Sequence, residues 1–169
     1  MPSTTPYKMA VVACLLYGCS TTTKPSLNKP RIVYVDMVAD LFHPGHIAFL
    51  KKAKEKGDYL LVGLITDEDA ESYTKRKPLM NLVERTEMVR SCKYVDEVIV
   101  GSPYRLSDEF IDSHHIDLVV HGDDFSMEAL YYYYQPAIDR GAFKVVEYTP
   151  GMSTSELIER VLRLSHPQK

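Results

Sequence analysis

Tyr34-Val35-Asp36-Met37-Val38-Ala39-Asp40-Leu41-Phe42-His43-Pro44-Gly45-His46 passes from a β-branched apolar run into the start of a helix. The run that leads into it, residues 32 to 35, is apolar on both sides of a pleat, the pattern of a strand covered on both faces. Pro44 suits the first position of a helix, where the missing N–H costs nothing, so His43 falls at the cap and His46 one turn later on the same side. Gly45 has no Cβ, which leaves room between the two imidazoles and lets an anion approach the backbone. The free N–H groups at such a helix start favour negative charge, so the segment predicts a phosphate site directly after a buried strand. Two competing readings are a pair of capping or core histidines and a metal pair, the latter weakened by the lack of a Cys or third His at ligand spacing.

Outward from this segment the pattern repeats. Residues 59 to 65, 97 to 100, 117 to 120 and 144 to 148 read as further buried strands. Residues 44 to 56, 82 to 93, 107 to 114 and 126 to 140 read as helices, with a terminal one from Ser153 carrying Leu157, Ile158, Val161 and Leu162. Strands interleaved with helices predict an α/β fold, a doubly wound parallel sheet of about five strands with helices on both faces. Ligands of such sheets sit at the carboxyl ends of the strands, which is where the unusual residues fall.

The whole chain has 169 residues, 45% of them hydrophobic, enough for one ordinary domain, assigned to residues 31 to 165. A formal charge of −3 with no basic block argues against nucleic acid as the main partner. Cys14, Cys19 and Cys92 form no metal-spaced pair, and no apolar run reaches the roughly 20 residues of a membrane span. Residues 1 to 30 have another texture: Ser, Thr and Pro around the apolar residues 9 to 18, with Lys8 in front. Leu16-Tyr17-Gly18-Cys19 resembles a bacterial lipoprotein cleavage box, which would tether the chain to a membrane through Cys19. Otherwise the segment is a disordered extension or a misassigned start, and the protein is expected in the cytoplasm.

A second helix start follows the last strand. In Thr149-Pro150-Gly151-Met152-Ser153-Thr154-Ser155-Glu156, Ser153 and Glu156 have capping-box spacing and Gly151 permits a close backbone approach. Basic side chains near these helix starts would offset the charge of a bound phosphate. Lys75, Arg76 and Lys77, in a loop after the second strand, are candidates, as are Arg85 and Lys93 on the next helix. Asp123 and Asp124 follow the fourth strand and suit a ribose, a base or the outer sphere of Mg²⁺. Tyr131 to Tyr134 covers every face of its helix and reads as core or a dimer contact before a cage for a quaternary ammonium.

Together these motifs resemble the cytidylyltransferase-like branch of the His-x-Gly-His nucleotidyltransferases, over residues 31 to 164. Tyr34 to His46, Val62-Gly63-Leu64-Ile65-Thr66-Asp67-Glu68 and His121-Gly122-Asp123-Asp124 look most like the nucleotidyltransferase domain that accompanies phosphoenolpyruvate phosphomutase. Met80 to Arg85 and Cys92 to Val98 are similar to phosphoethanolamine, phosphocholine and glycerol-3-phosphate cytidylyltransferases. The resemblance implies a Rossmann-like sheet, Mg²⁺ and CTP, and transfer of a nucleoside monophosphate to a small phospho-alcohol or phosphonate with release of pyrophosphate. It implies catalytic roles for His43, His46, Lys77 and Arg85. Nucleotide contacts fall to Val35, Asp36, Met37, Val38, Asp40, Lys75, Asp123, Asp124, Thr149, Gly151, Ser153 and Thr154, besides the histidines. A homodimer with Tyr94-Val95-Asp96 near the interface is also implied. The chain departs from the pattern at Met37-Val38-Ala39, where many relatives have Gly-x-Phe, at Lys93, where relatives carry Arg, and at Tyr148 and Pro150, where a phosphate-binding Arg and a Glu are usual. Rival readings are an ATP-dependent adenylyltransferase, whose phosphate motifs would be the same, and a non-catalytic nucleotide-binding module.

Overall fold

A computed structural model describes residues 29–147 and 152–165. The elements follow in the order β1 (Ile32–Met37), α1 (Pro44–Lys54), β2 (Tyr59–Leu64), α2 (Asp67–Thr74), α3 (Leu82–Arg90), β3 (Glu97–Val100), α4 (Asp108–Ser113), β4 (Leu118–Gly122), α5 (Met127–Asp139), β5 (Phe143–Val146) and α6 (Thr154–Ser165). All five strands pair in parallel in the order β3-β2-β1-β4-β5. Period-two alternation sends Val33, Val35, Leu60, Val62 and Leu64 into one core, with Leu50 and Ala53 of α1 and Val89 of α3. Tyr34, Leu61 and Val119 point the other way, onto Ile111 of α4 and Leu130 and Ala137 of α5. The central strands β2, β1 and β4 are thus covered on both faces, as continuous apolar runs require, whereas the edge strands β3 and β5, read from the sequence as buried, are half-buried or exposed over most of their length because each pairs on one side only.

From β1 the chain steps outward through β2 and β3, then returns to the opposite side of β1 for β4 and β5. The strand order reverses between β1 and β4, and a crevice opens above the carboxyl ends of strands at such a switch point.

Three local differences from the sequence reading have physical causes. Helix α2 was not expected: it carries Asp67, Glu68, Asp69 and Glu71 and buries Ala70, so it has no apolar stripe, and the Thr66 cap that accepts Asp69 N–H at 3.1 Å starts it. Helix α3 stops at Arg90, which leaves Lys93 beyond the helix it was expected to share with Arg85. Asp117 stays outside β4 because its carboxylate accepts the Ile32 N–H at 2.8 Å, and the strand runs on through His121 and Gly122. Among the described residues no helix is long and apolar enough to cross a membrane. Residues 1–28 of the leader, with Cys14 and Cys19, lie outside the described residues, as do Tyr148 and Pro150.

Candidate active site

His43 and His46 cap α1 reciprocally. The Nδ1 of His43 accepts the Gly45 N–H at 3.1 Å, and the Nδ1 of His46 accepts the His43 N–H at 3.3 Å. A nitrogen that accepts a backbone N–H carries no proton, so each neutral ring holds its proton on Nε2 and offers one N–H donor. The rings lie 3.9 Å apart between centroids, and Phe42 stacks on His46 at 5.5 Å. Burial lowers the pKa of His43, with Glu156 pulling the other way. Burial and the neighbouring His43 ring push His46 down to about 4 against an opposing pull from Asp40. At neutral pH the pair is therefore two uncharged donors at the positive end of a helix.

The turn that delivers these rings is held from three directions. Ala39 and Leu41 adopt φ of 58° and 48°, in the left-handed region that disfavours side chains with a Cβ. The fully buried Arg85 guanidinium donates to the carbonyls of Val38 at 2.5 Å, Ile65 at 3.0 Å and Met80 at 3.2 Å, and pairs with Asp67 at 2.5 Å. Asp40 accepts the backbone N–H groups of Leu79 and Met80 at 3.1 and 2.9 Å. From the far end of the chain, the Thr154 hydroxyl donates to the Asp40 carbonyl at 3.0 Å. A Cβ at Gly45 would meet the Met152 carbonyl at 2.7 Å and the His43 ring at 2.9 Å. Glycine here lets the lead-in to α6 press against the start of α1, so the two helix N-termini predicted to hold phosphates stand side by side.

Below them opens a cleft of about 240 Å³ at the reversal point, floored by Asp36 and Met37 from β1 and His121 and Gly122 from β4. The volume is under the roughly 300–1,000 Å³ usual for drug-sized ligands, so a nucleotide would fill it in part and extend over the rim. Asp36 is buried and accepts the Tyr134 hydroxyl at 2.7 Å. Burial pushes its pKa up, against the Tyr134 hydrogen bond and the His121 ring. At this end aromatic rings form the wall: Tyr104 and Tyr133 join hydroxyls at 3.0 Å, and Phe125 and Tyr134 lie 4.6 and 5.2 Å from the His121 ring. The carbonyl of Gly122 lies 2.9 Å from His121 Nδ1, which must therefore carry the proton.

The cytidylyltransferase-like family model matches residues 37–160. The chain belongs to the cytidylyltransferase-like family. It is 44% identical over 144 residues to an ethanolamine-phosphate cytidylyltransferase of Dictyostelium discoideum, a match covering 85% of this chain and 39% of the relative. Choline-phosphate cytidylyltransferase A of Homo sapiens is 38% identical over 139 residues, covering 80% of this chain and 38% of the relative. The chain thus spans about two fifths of the length of these relatives. A lipopolysaccharide core biosynthesis protein from Thermoplasma volcanium shares the fold with a TM-score of 0.59 at 24% identity, over 73% of this chain and all of that one.

In this cytidylyltransferase-like chain, Asp36, Met37, Val38, His43, His46 and Asp124 line the cleft. Val35 does not: its side chain belongs to the core beneath the sheet. Asp123 is exposed outside the lining, and Asp40 stands behind the wall as a brace for the turn. Arg85 has the same bracing position, with its donors committed to carbonyls and Asp67, which differs from the phosphate-facing role expected of it. Lys75 and Lys77 are exposed and do not line the cleft. Lys75 ends α2 at φ 59° with its ammonium on the Ser72 carbonyl at 2.7 Å. Ser153 accepts the Glu156 N–H at 3.2 Å as expected of a cap, while Thr154 gives its proton to Asp40; neither lines the cleft. Thr149 and Gly151 lie outside the described residues.

The sequence reading missed the aromatic wall, and it set Tyr131 to Tyr134 apart from the site. Tyr133 and Tyr134 face the cleft, and Tyr131 and Tyr132 are exposed. The signal was Pro136, two residues past the run. Among the described residues no group of three His, Cys, Asp or Glu side chains suits a metal ion.

Proposed function

We propose that this chain is a cytidylyltransferase, transferring CMP from CTP to a small phosphorylated amino alcohol, phosphoethanolamine foremost. The observation that carries this reading is the pair of neutral Nε2–H donors beside two abutting helix N-termini. An acceptor phosphate oxygen forms a bond to the α-phosphorus, the bond from that phosphorus to the bridging oxygen breaks, and pyrophosphate leaves with the electron pair. His43 and His46 donate to the oxygens on which charge grows, a role in which each donor is worth about 10²- to 10³-fold in rate. No side-chain nucleophile enters. Among the described residues no side-chain cluster suits a metal ion, and the proposal has Mg²⁺ enter with the triphosphate as part of the substrate, where it would offset phosphate charge.

No Lys or Arg of the described residues lines the cleft, so the proposal assigns the remaining positive charge to Lys75 or Lys77, brought over the phosphates when CTP binds. Asp123 and Asp124 are assigned to the ribose. At the far end, the buried Asp36 carboxylate within the aromatic wall favours an acceptor with an ammonium group. Support comes from the names of the relatives, which act on ethanolamine-phosphate and choline-phosphate. The proposal also includes a homodimer through Tyr94, Val95 and Asp96 and a cytoplasmic location, where CTP is present.

A pyrophosphate-release assay tests the reaction. CTP and ATP are each offered with phosphoethanolamine, phosphocholine, glycerol-3-phosphate, 2-hydroxyethylphosphonate and 2-aminoethylphosphonate. Release with CTP and an amino-bearing acceptor is the expected result. Release only with ATP, or with none of these pairs, overturns the reading.

A further inference from the structure

We infer that Pro136 is a positioning residue for the acceptor end of the cleft, acting through a break in α5 that aims Tyr133 and Tyr134 inward. The inference rests on the reading above for the identity of the acceptor. Helix α5 is broken at Tyr134, whose φ of −121° and ψ of 17° are not helical, and Pro136 follows two residues later. A proline inside a helix has no N–H for the carbonyl four residues back, here Tyr132, and its ring crowds that carbonyl, so the helix bends just before it. Tyrosines 131 to 134 would point around the whole circumference of a straight helix. With the break, Tyr134 is buried on the Asp36 carboxylate and Tyr133 enters the cleft wall.

The break is gripped by the loop between β3 and α4. Leu106 N–H donates to the Tyr133 carbonyl at 2.9 Å. The Tyr104 and Tyr133 hydroxyls meet at 3.0 Å, the Arg105 guanidinium lies 4.9 Å over the Tyr132 ring, and its NH2 group reaches Gln135 at 3.4 Å. Every one of these contacts falls on residues 132 to 135. The loop that carries Tyr104 into the cleft is therefore set by the same bend that sets Tyr133. Straightening a bend of about 20° swings a tyrosine hydroxyl by about 2 Å, enough to open the wall. The phosphate end, built by α1 and α6, shares none of these contacts.

The test is Pro136→Ala in the full chain. Kinetics are measured with CTP and the best acceptor from the pyrophosphate assay, together with thermal unfolding and amide exchange at Leu106. Alanine suits a helix, so unfolding at the same or a higher temperature is expected. The acceptor KM is expected to rise about tenfold or more, with the CTP KM within about twofold and the Leu106 N–H exchanging about tenfold faster. Unchanged acceptor KM and exchange, or equal rises in both KM values, overturn the inference. Should Pro136→Ala not fold, Arg105→Ala loosens the same grip from the surface. A rise of about threefold in the acceptor KM alone supports the inference, and no rise overturns it. If the wild-type chain turns nothing over, the proposed function fails by itself. Leu106 exchange and equilibrium titration with phosphoethanolamine then decide the inference: faster exchange and weaker binding in the variant support it, and parity refutes it.

Discussion

Acid separates histidines that act as neutral donors from histidines that act as cations. In the folded chain His46 is held at about 4, whereas an unfolded histidine titrates near 6.5. Because the folded value is the lower one, the unfolded chain takes up this proton first as the pH falls. The stability linked to His46 is complete above about pH 6.5 and is lost progressively toward pH 4. At about 1.4 kcal/mol per tenfold difference in proton affinity, the loss is about 2 kcal/mol by pH 5 and about 3 kcal/mol in full. Against a typical domain stability of roughly 5–15 kcal/mol this is measurable in a denaturant titration. The comparison is wild type against His46→Gln, whose side-chain carbonyl keeps an acceptor for the His43 N–H, at about pH 7.5 and about pH 5. Asp36, raised in the folded state, contributes with the opposite sign, gaining stability as the pH falls; it is common to both proteins and cancels in the difference. Wild type should lose about 2 kcal/mol more than the variant between the two pH values. Parallel losses would refute the neutral-donor reasoning.

Removing one of the two donors outright, in His46→Ala, should lower turnover about 10²- to 10³-fold with the circular dichroism spectrum intact; wild-type turnover would end the mechanism. Arg85→Ala removes the guanidinium donor from the carbonyls of Val38, Ile65 and Met80 and leaves the Asp67 carboxylate with the Leu82 N–H alone of these two partners. It should destabilise by about 3–5 kcal/mol in urea unfolding, and a fully stable but inactive variant would reinstate the phosphate role read from the sequence. Gly45→Ala forces the lead-in to α6 away from His43, since the new Cβ would lie 2.7 Å from the Met152 carbonyl. A displacement of about 1 Å there should cost about 100-fold in kcat/KM, measured by pyrophosphate release.

The parallel sheet was legible because its central strands are near-continuous apolar runs spaced by helical patterns, and the phosphate end because Pro44, Gly45 and the flanking histidines occupy adjacent positions. Residues that act through neighbours distant in sequence were not legible. Arg85 looks like a surface helix cation until the turn of residues 38 to 41 folds over it, and its donors find carbonyls 20 and 47 residues away. Among its described side chains helix α2 buries a single alanine, and so it has no periodicity to detect. Tyr104 and Tyr133 meet across 29 residues, and only the proline after the tyrosine run hints at the bend that joins them.

The left-handed turn at Ala39 and Leu41 carries a further consequence. Each such residue costs on the order of 1–3 kcal/mol and persists only where its surroundings over-determine it. Here those surroundings are Arg85 of α3, Leu79 and Met80 in the loop that leads into it, and Thr154, the first residue of α6. On the proposed function, catalytic competence requires all three to dock, so specific activity should measure the natively assembled fraction of a preparation more sharply than helix content does. By the same coupling, a triphosphate that binds across both helix starts ties the two ends of the domain together, and melting temperature should climb with its concentration.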